Sequence, residues 1–228
     1  MDKRVNNLKK ENIILFDLDG TLIDSTDAIV STFYHSFEKM DFDFKGNDET
    51  IKDLIGYPLD IMYENLGVPK ERAFDFVDVY KERYRVISKA QTLLLKDAVA
   101  SLELAQSFAR LSVVTTKTGA YTIPLLEHMN IHHYFEHITG REHVENPKPH
   151  PEPILRTLEL MKANPLDFNI WMIGDTKLDL IAANGAKVLS VGVLCGYGKE
   201  EELKSYTPHV VENAFNAVQL IQKISETL

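Results

Sequence analysis

Four aspartates stand within a few residues of the ends of short apolar runs. Asp17 and Asp19 follow Ile13-Ile14-Leu15-Phe16, and Asp175 and Asp179 follow Ile170-Trp171-Met172-Ile173. Runs of this kind read as strands buried on both faces of a parallel sheet, and such sheets bind ligands in the crevice beyond the carboxyl ends of their strands. The four carboxylates are therefore expected at one sheet edge, where a pair about 4 Å apart repels by about 4 kcal/mol at an effective dielectric of roughly 20. Something positive must sit among them. An all-oxygen site without His or Cys ligands suits a hard divalent cation that keeps some of its waters, Mg²⁺ above all. Lys148, in the stiff loop Asn146-Pro147-Lys148-Pro149, supplies a second, fixed positive charge. Metal and lysine together make room for a phosphoryl group, since they offset both the carboxylates and its oxygens.

At such a site Asp17 reads as the nucleophile, because a carboxylate can accept a phosphoryl group and divide one hard hydrolysis into two displacements. Asp19, two residues on along a strand, faces the same way and reads as the acid, then the base. The hydroxyl of Thr115, after the run Leu111-Ser112-Val113-Val114, is expected to donate to the phosphoryl oxygens. Backbone N–H groups near Gly20 and Thr116 are expected to complete the cradle.

The elements that must hold these residues follow a β-α-β-α rhythm. Apolar runs at 13–16, 111–114, 170–173 and 188–191 alternate with helical patterns at 98–109, 121–129, 153–161 and 178–184, and a last strand near 209–211 precedes a closing helix from Ala214. The fold class is α/β, a doubly wound Rossmann-like parallel sheet. Between Ser25 and Leu93 the rhythm changes: Ile29, Phe33, Phe37 and Met40 recur at helical spacing without a strand run. That stretch reads as an inserted helical subdomain of about four helices, with Gly56 closing one of them in the left-handed cap conformation.

Asp17-Leu-Asp-Gly-Thr-Leu-Ile-Asp-Ser25, Thr115 after a strand, Lys148 in a Lys-Pro loop, and Gly174-Asp175 with Asp179 together resemble the four motifs of the haloacid dehalogenase-like hydrolase superfamily, in its order and over about residues 11–212. The resemblance implies Asp17 as nucleophile and metal ligand, Asp19 as proton donor that also binds metal through its backbone carbonyl, and Asp175 as a direct ligand. Asp179 is expected to support the ion through water or a neighbouring group. The dehalogenase branch carries a non-acidic residue at the Asp19 position, so this chain reads as a phosphatase. The helical insertion is similar to the family's first type of cap, which gives a core of residues 1–24 and 94–228 and a cap of residues 25–93. The segment Ile51 to Leu59 is similar to the substrate-facing part of the cap in phosphoglycolate phosphatase-like members, and it offers Lys52 and Tyr57 as substrate contacts. The reading is a Mg²⁺-dependent phosphatase of small phosphorylated metabolites, with 2-phosphoglycolate as the best single substrate. The alternatives are a β-phosphoglucomutase-like sugar-phosphate mutase and a non-catalytic phospho-acceptor module.

The remaining features narrow the class. Lys plus Arg number 25 against 34 Asp plus Glu, a formal charge of −9, which argues against a nucleic-acid binder. The opening stretch Met1 to Asn12 lacks the apolar core of a signal peptide, and no run is long enough for a membrane span, so a cytoplasmic monomer or homodimer is expected. One cysteine, Cys195, rules out a disulfide framework and reads as a packed thiol. Lys117 and Lys177 read as solvated lysines at helix starts. His132, His133 and His137 read as surface histidines in a helix-to-strand connection, and the glycine-bearing segment Gly192 to Gly198 as a turn near the site's rim.

Overall fold

The computed structural model describes residues 10–227. Met1 to Lys9, most of the polar opening stretch, lie outside the described residues. The sheet has six parallel strands, in the order β5-β4-β1-β6-β7-β8: β1 (Glu11–Phe16), β4 (Ala109–Val114), β5 (His137–Thr139), β6 (Phe168–Gly174), β7 (Leu189–Val193) and β8 (Val210–Val211). β1 is central and its apolar residues alternate between two cores. Ile14 and Phe16 join Val113, Trp171, Ile173 and Val191 beneath α5 (Ala98–Gln106) and α10 (Ala214–Thr227). Ile13 and Leu15 join Val114, Ile170 and Met172 beneath α7 (Glu152–Leu160) and α8 (Lys177–Ala186). With helices on both faces there is no polar side for the strand to present, which is why its sequence is continuously apolar.

The chain runs outward from β1 through β4 to β5, then crosses to β6 and continues to β8. The strand order therefore reverses beside β1, where an open α/β sheet forms its crevice. Register brings the strand ends level: Phe16 lies opposite both Val113 and Ile173, and the Asp17 N–H donates to the Ile173 carbonyl at 2.8 Å.

A short antiparallel ribbon, β2 (Ile23–Asp24) with β3 (Leu93–Leu94), carries the chain out of the sheet unit and back. Between them lie α1 (Thr26–Lys39), α2 (Asp48–Lys52), α3 (Leu59–Asn65) and α4 (Ala73–Gln91), which share a separate core built on Ile29, Phe33, Tyr63, Phe76 and Tyr80. Rings dominate it, with the Phe33 and Tyr63 centroids 4.7 Å apart and those of Phe33 and Tyr80 5.1 Å apart.

Two local expectations need correcting. α2 ends at Lys52, so Gly56 (φ +111°) caps no helix; it sits in the turn beyond, where its carbonyl accepts a hydrogen bond from the Thr116 hydroxyl at 2.9 Å. Its freedom at positive φ serves a contact between the helical segment and a sheet loop. The stretch containing His137 holds a strand, since 137–139 pairs with β4. Three residues starting with a histidine give too short a run to show strand periodicity.

Candidate active site

β1 delivers Asp17 into a buried cluster. Asp17, Asp175 and Asp179 each offer a carboxylate oxygen within 4.8 Å of the others, and none is more than 4% exposed. The Lys148 ammonium lies between two of them, 2.7 Å from Asp17 Oδ1 and 2.6 Å from Asp179 Oδ1, and donates to the Val114 carbonyl at 3.0 Å. Burial alone would lower the Lys148 pKa, but the two carboxylates more than offset it and hold the lysine above its ordinary value. Asp17 is pushed up to about 7 by burial first and Asp179 second, with Lys148 pulling the other way. Asp175 is driven well above the carboxylate range by burial and then by Asp17 and Asp179. One lysine thus leaves the cluster short of positive charge.

Each carboxylate is held differently. Asp179 closes a capping box at the start of α8: its Oδ2 accepts from the Thr176 N–H at 3.1 Å and hydroxyl at 2.8 Å, while Oδ1 takes Lys148. Both its oxygens are therefore engaged, and it positions Lys148 and the loop around Asp175. A Cβ on Gly174 would fall 2.3 Å from the Asp179 side chain, so the glycine is required for this approach. Asp175 accepts from the Thr21 hydroxyl at 3.2 Å and from the Tyr197 N–H at 2.8 Å. The segment after β7 wraps around it, since a Cβ on Gly196 would lie 2.1 Å from Asp175 Oδ2. A divalent ion fits this donor set: oxygens only, buried, with two acids raised in pKa and lacking compensating charge. Asp17 and Asp175 are the carboxylates that would hold it.

The carboxylate of Asp19 stands apart from that cluster. It bonds to the Ser25 hydroxyl, lies 3.2 Å from the Lys117 ammonium and lines an adjoining cavity of about 270 Å³. Lys117 is not the solvated lysine expected from its place at a helix start. Its side chain is only 10% exposed, donates to the Tyr84 hydroxyl of α4 at 2.9 Å, and sits 4.5 Å from the Tyr84 ring centroid. Its pKa would be lowered by burial, but Asp19 and Tyr84 carry it above normal. Nothing local in Thr115-Thr116-Lys117 announces this, because both partners come from distant chain. Lys177 behaves as expected and pairs with Glu202 at 2.7 Å near the surface.

Thr115 is buried and its hydroxyl oxygen accepts from the Lys117 N–H at 3.1 Å, which leaves its hydrogen to be donated. Gly20 is not placed to supply a cradle N–H: that group donates to the Ile23 carbonyl at 2.8 Å. Its role is spatial. At φ +80° it carries no Cβ where one would meet Asp175 Oδ2 at 2.3 Å. Thr116 and Tyr57 both line the cavity. Lys52 does not; it turns to Glu49 at 2.8 Å one helical turn away. The Thr176-x-x-Asp179 capping pattern could have been found in the sequence, whereas Tyr197 carries no such signal.

Comparison with known proteins gives one consistent result. The family model described as haloacid dehalogenase-like hydrolase matches residues 14–193. The chain is 32% identical over 212 residues to "Probable phosphatase IndB" of Dickeya dadantii, covering 90% of this chain and 91% of that one. It is 28% identical over 229 residues to a phosphoglycolate phosphatase of Colwellia psychrerythraea, covering 95% and 99%. It is 32% identical over 207 residues to the pyrophosphatase PpaX of Anoxybacillus flavithermus, covering 86% and 90%. Among solved structures, a haloacid dehalogenase-like hydrolase of Bacteroides fragilis superposes with a TM-score of 0.84 at 27% identity, covering 91% of this chain and 100% of that one.

Proposed function

This chain belongs to the haloacid dehalogenase-like hydrolase family, and from that membership we propose that it is a Mg²⁺-dependent phosphatase releasing inorganic phosphate from small phosphomonoesters through an aspartyl-phosphate at Asp17. The observation that carries the reading is the division of the carboxylates: Asp17 buried beside Asp175 against Lys148, and Asp19 apart from them in the lining of an adjoining cavity. Residues 1–24 and 94–228 act as the catalytic core and 25–93 as its cap.

In the first step an Asp17 oxygen forms a bond to phosphorus as the bond to the leaving oxygen breaks, and Asp19 gives that oxygen its proton. In the second, Asp19 takes a proton from water as the water oxygen attacks phosphorus, which releases phosphate and restores the Asp17 carboxylate. Lys148 holds Asp17 in position and Thr115 donates to a phosphoryl oxygen. A bound Mg²⁺ supplies the charge that lets the ionised carboxylates and the phosphoryl group share one site. The cap excludes water and contacts the leaving group. No helix among the described residues is long and apolar enough to cross a membrane.

The names borne by two relatives make 2-phosphoglycolate the reference substrate and pyrophosphate its comparison. The test is inorganic phosphate release over many turnovers with Mg²⁺. Asp17→Asn should abolish it, Asp19→Asn should reduce it strongly, and chelator should stop it. Undiminished turnover by Asp17→Asn rejects the nucleophile. Isomerised sugar phosphate without free phosphate identifies a mutase, and a single lasting phosphorylation identifies an acceptor module.

A further inference from the structure

The cavity that begins at Asp19 runs between the sheet loops and the helical segment, where a leaving group would lie once its oxygen faces the proton donor. Apolar surface predominates in its walls, alongside Tyr57, Tyr84, Tyr121, Thr116 and Thr118. Ile29, Ile55, Met62 and Val77 line it, each no more than 5% exposed, together with Leu59 and Tyr80. Phe74, 68% exposed, stands at its mouth. The charged residues around it balance: three cations, Lys81, Lys117 and Arg141, against three carboxylates, Asp19, Asp60 and Glu142. Two of those cations are already engaged, Lys117 by Asp19 and Tyr84, and Arg141 by the Val144 carbonyl at 3.0 Å.

A leaving group carrying its own carboxylate, as in 2-phosphoglycolate, would enter a cavity with no surplus positive charge and surrender part of its hydration to a predominantly apolar lining. A two-carbon group would also leave much of the roughly 270 Å³ unfilled. Resting on the phosphatase reading, we infer that this site takes phosphomonoesters whose leaving group is an uncharged alkyl or aryl alcohol of several carbons, and that Leu59 and its apolar neighbours select it. Binding of this kind removes apolar surface from water at both the ligand and the wall, a gain that grows with each carbon until the cavity is filled.

The experiment compares kcat/KM for n-alkyl phosphates from methyl to hexyl, for phenyl phosphate and for 2-phosphoglycolate, with Mg²⁺. Each methylene should raise kcat/KM about two- to fourfold until the cavity is full, and 2-phosphoglycolate should fall at least tenfold below hexyl phosphate. Leu59→Lys should reverse that order while Leu59→Met preserves it. If Leu59→Lys fails to fold, Phe74→Lys at the exposed mouth serves as the second variant. A flat alkyl series, or 2-phosphoglycolate as the better substrate, overturns the inference and leaves the phosphatase reading standing. If no ester is hydrolysed, that reading falls, and calorimetry with hexylphosphonate against methylphosphonate decides the pocket: equal affinities overturn the inference and tighter hexylphosphonate binding upholds it.

Discussion

The buried carboxylates set a pH dependence that runs opposite to ordinary acid denaturation. Asp17 is 4% exposed, and its carboxyl rises from 3.8 to about 7 on folding. Between those two values the native state holds a proton that the unfolded chain has lost, so stability from this group is full below about pH 4 and falls as pH rises to about 7. The slope is about 1.4 kcal/mol per pH unit, and the whole interval amounts to about 4 kcal/mol. Replacing the carboxyl by an amide removes the dependence, so Asp17→Asn should gain on the wild type by about 3 kcal/mol between pH 5 and pH 7 and no further above it. The assay is urea unfolding of both proteins in chelator at half-unit pH steps, reading the difference between the two curves so that other titrating groups largely cancel. Saturating Mg²⁺ should shrink the wild-type loss, because the ion favours ionised carboxylates. A difference independent of pH, or one in which the wild type gains as pH rises, would refute the account of a cluster short of positive charge.

Lys148→Met leaves Asp17 and Asp179 buried without their cation; it should cost roughly 3–5 kcal/mol in metal-free urea unfolding at neutral pH and abolish phosphate release. Gly196→Ala puts a methyl group against Asp175; it should destabilise by about 1–3 kcal/mol and weaken Mg²⁺ binding measured by calorimetry. Cys195 donates to the Gly20 carbonyl at 3.3 Å, and burial, followed by the charge of Asp175, pushes its thiol up to about 11; iodoacetamide at pH 8 should therefore modify it far more slowly in the native protein than in urea, by mass spectrometry.

Much of this site is legible in the sequence, because strands and helices are local patterns. Ile13 to Phe16 is apolar at every position, so its burial on both faces and the exit of Asp17 at its end follow from the residues themselves. The same holds for Thr115 after β4 and Asp175 after β6, and the reversal of strand order beside β1 then gathers them. Residues whose roles depend on distant partners behave otherwise. Lys52 and Lys117 are both lysines at the edges of helical segments, with nothing local to separate them, yet one faces Glu49 and the other lies largely covered between Asp19 and Tyr84.

The residue types and their order along the chain determined the sheet, the inserted helices and which carboxylates would stand at strand ends, since each depends on interactions within a few residues. Only the tertiary structure decided that Asp19 parts from the other acids, that Gly20 makes space for Asp175 and supplies no cradle N–H, and that aliphatic side chains from remote segments meet in the cavity wall. Those outcomes depend on how far apart in space groups from remote segments come to rest, and Coulomb energy, steric exclusion and loss of water all vary with that separation.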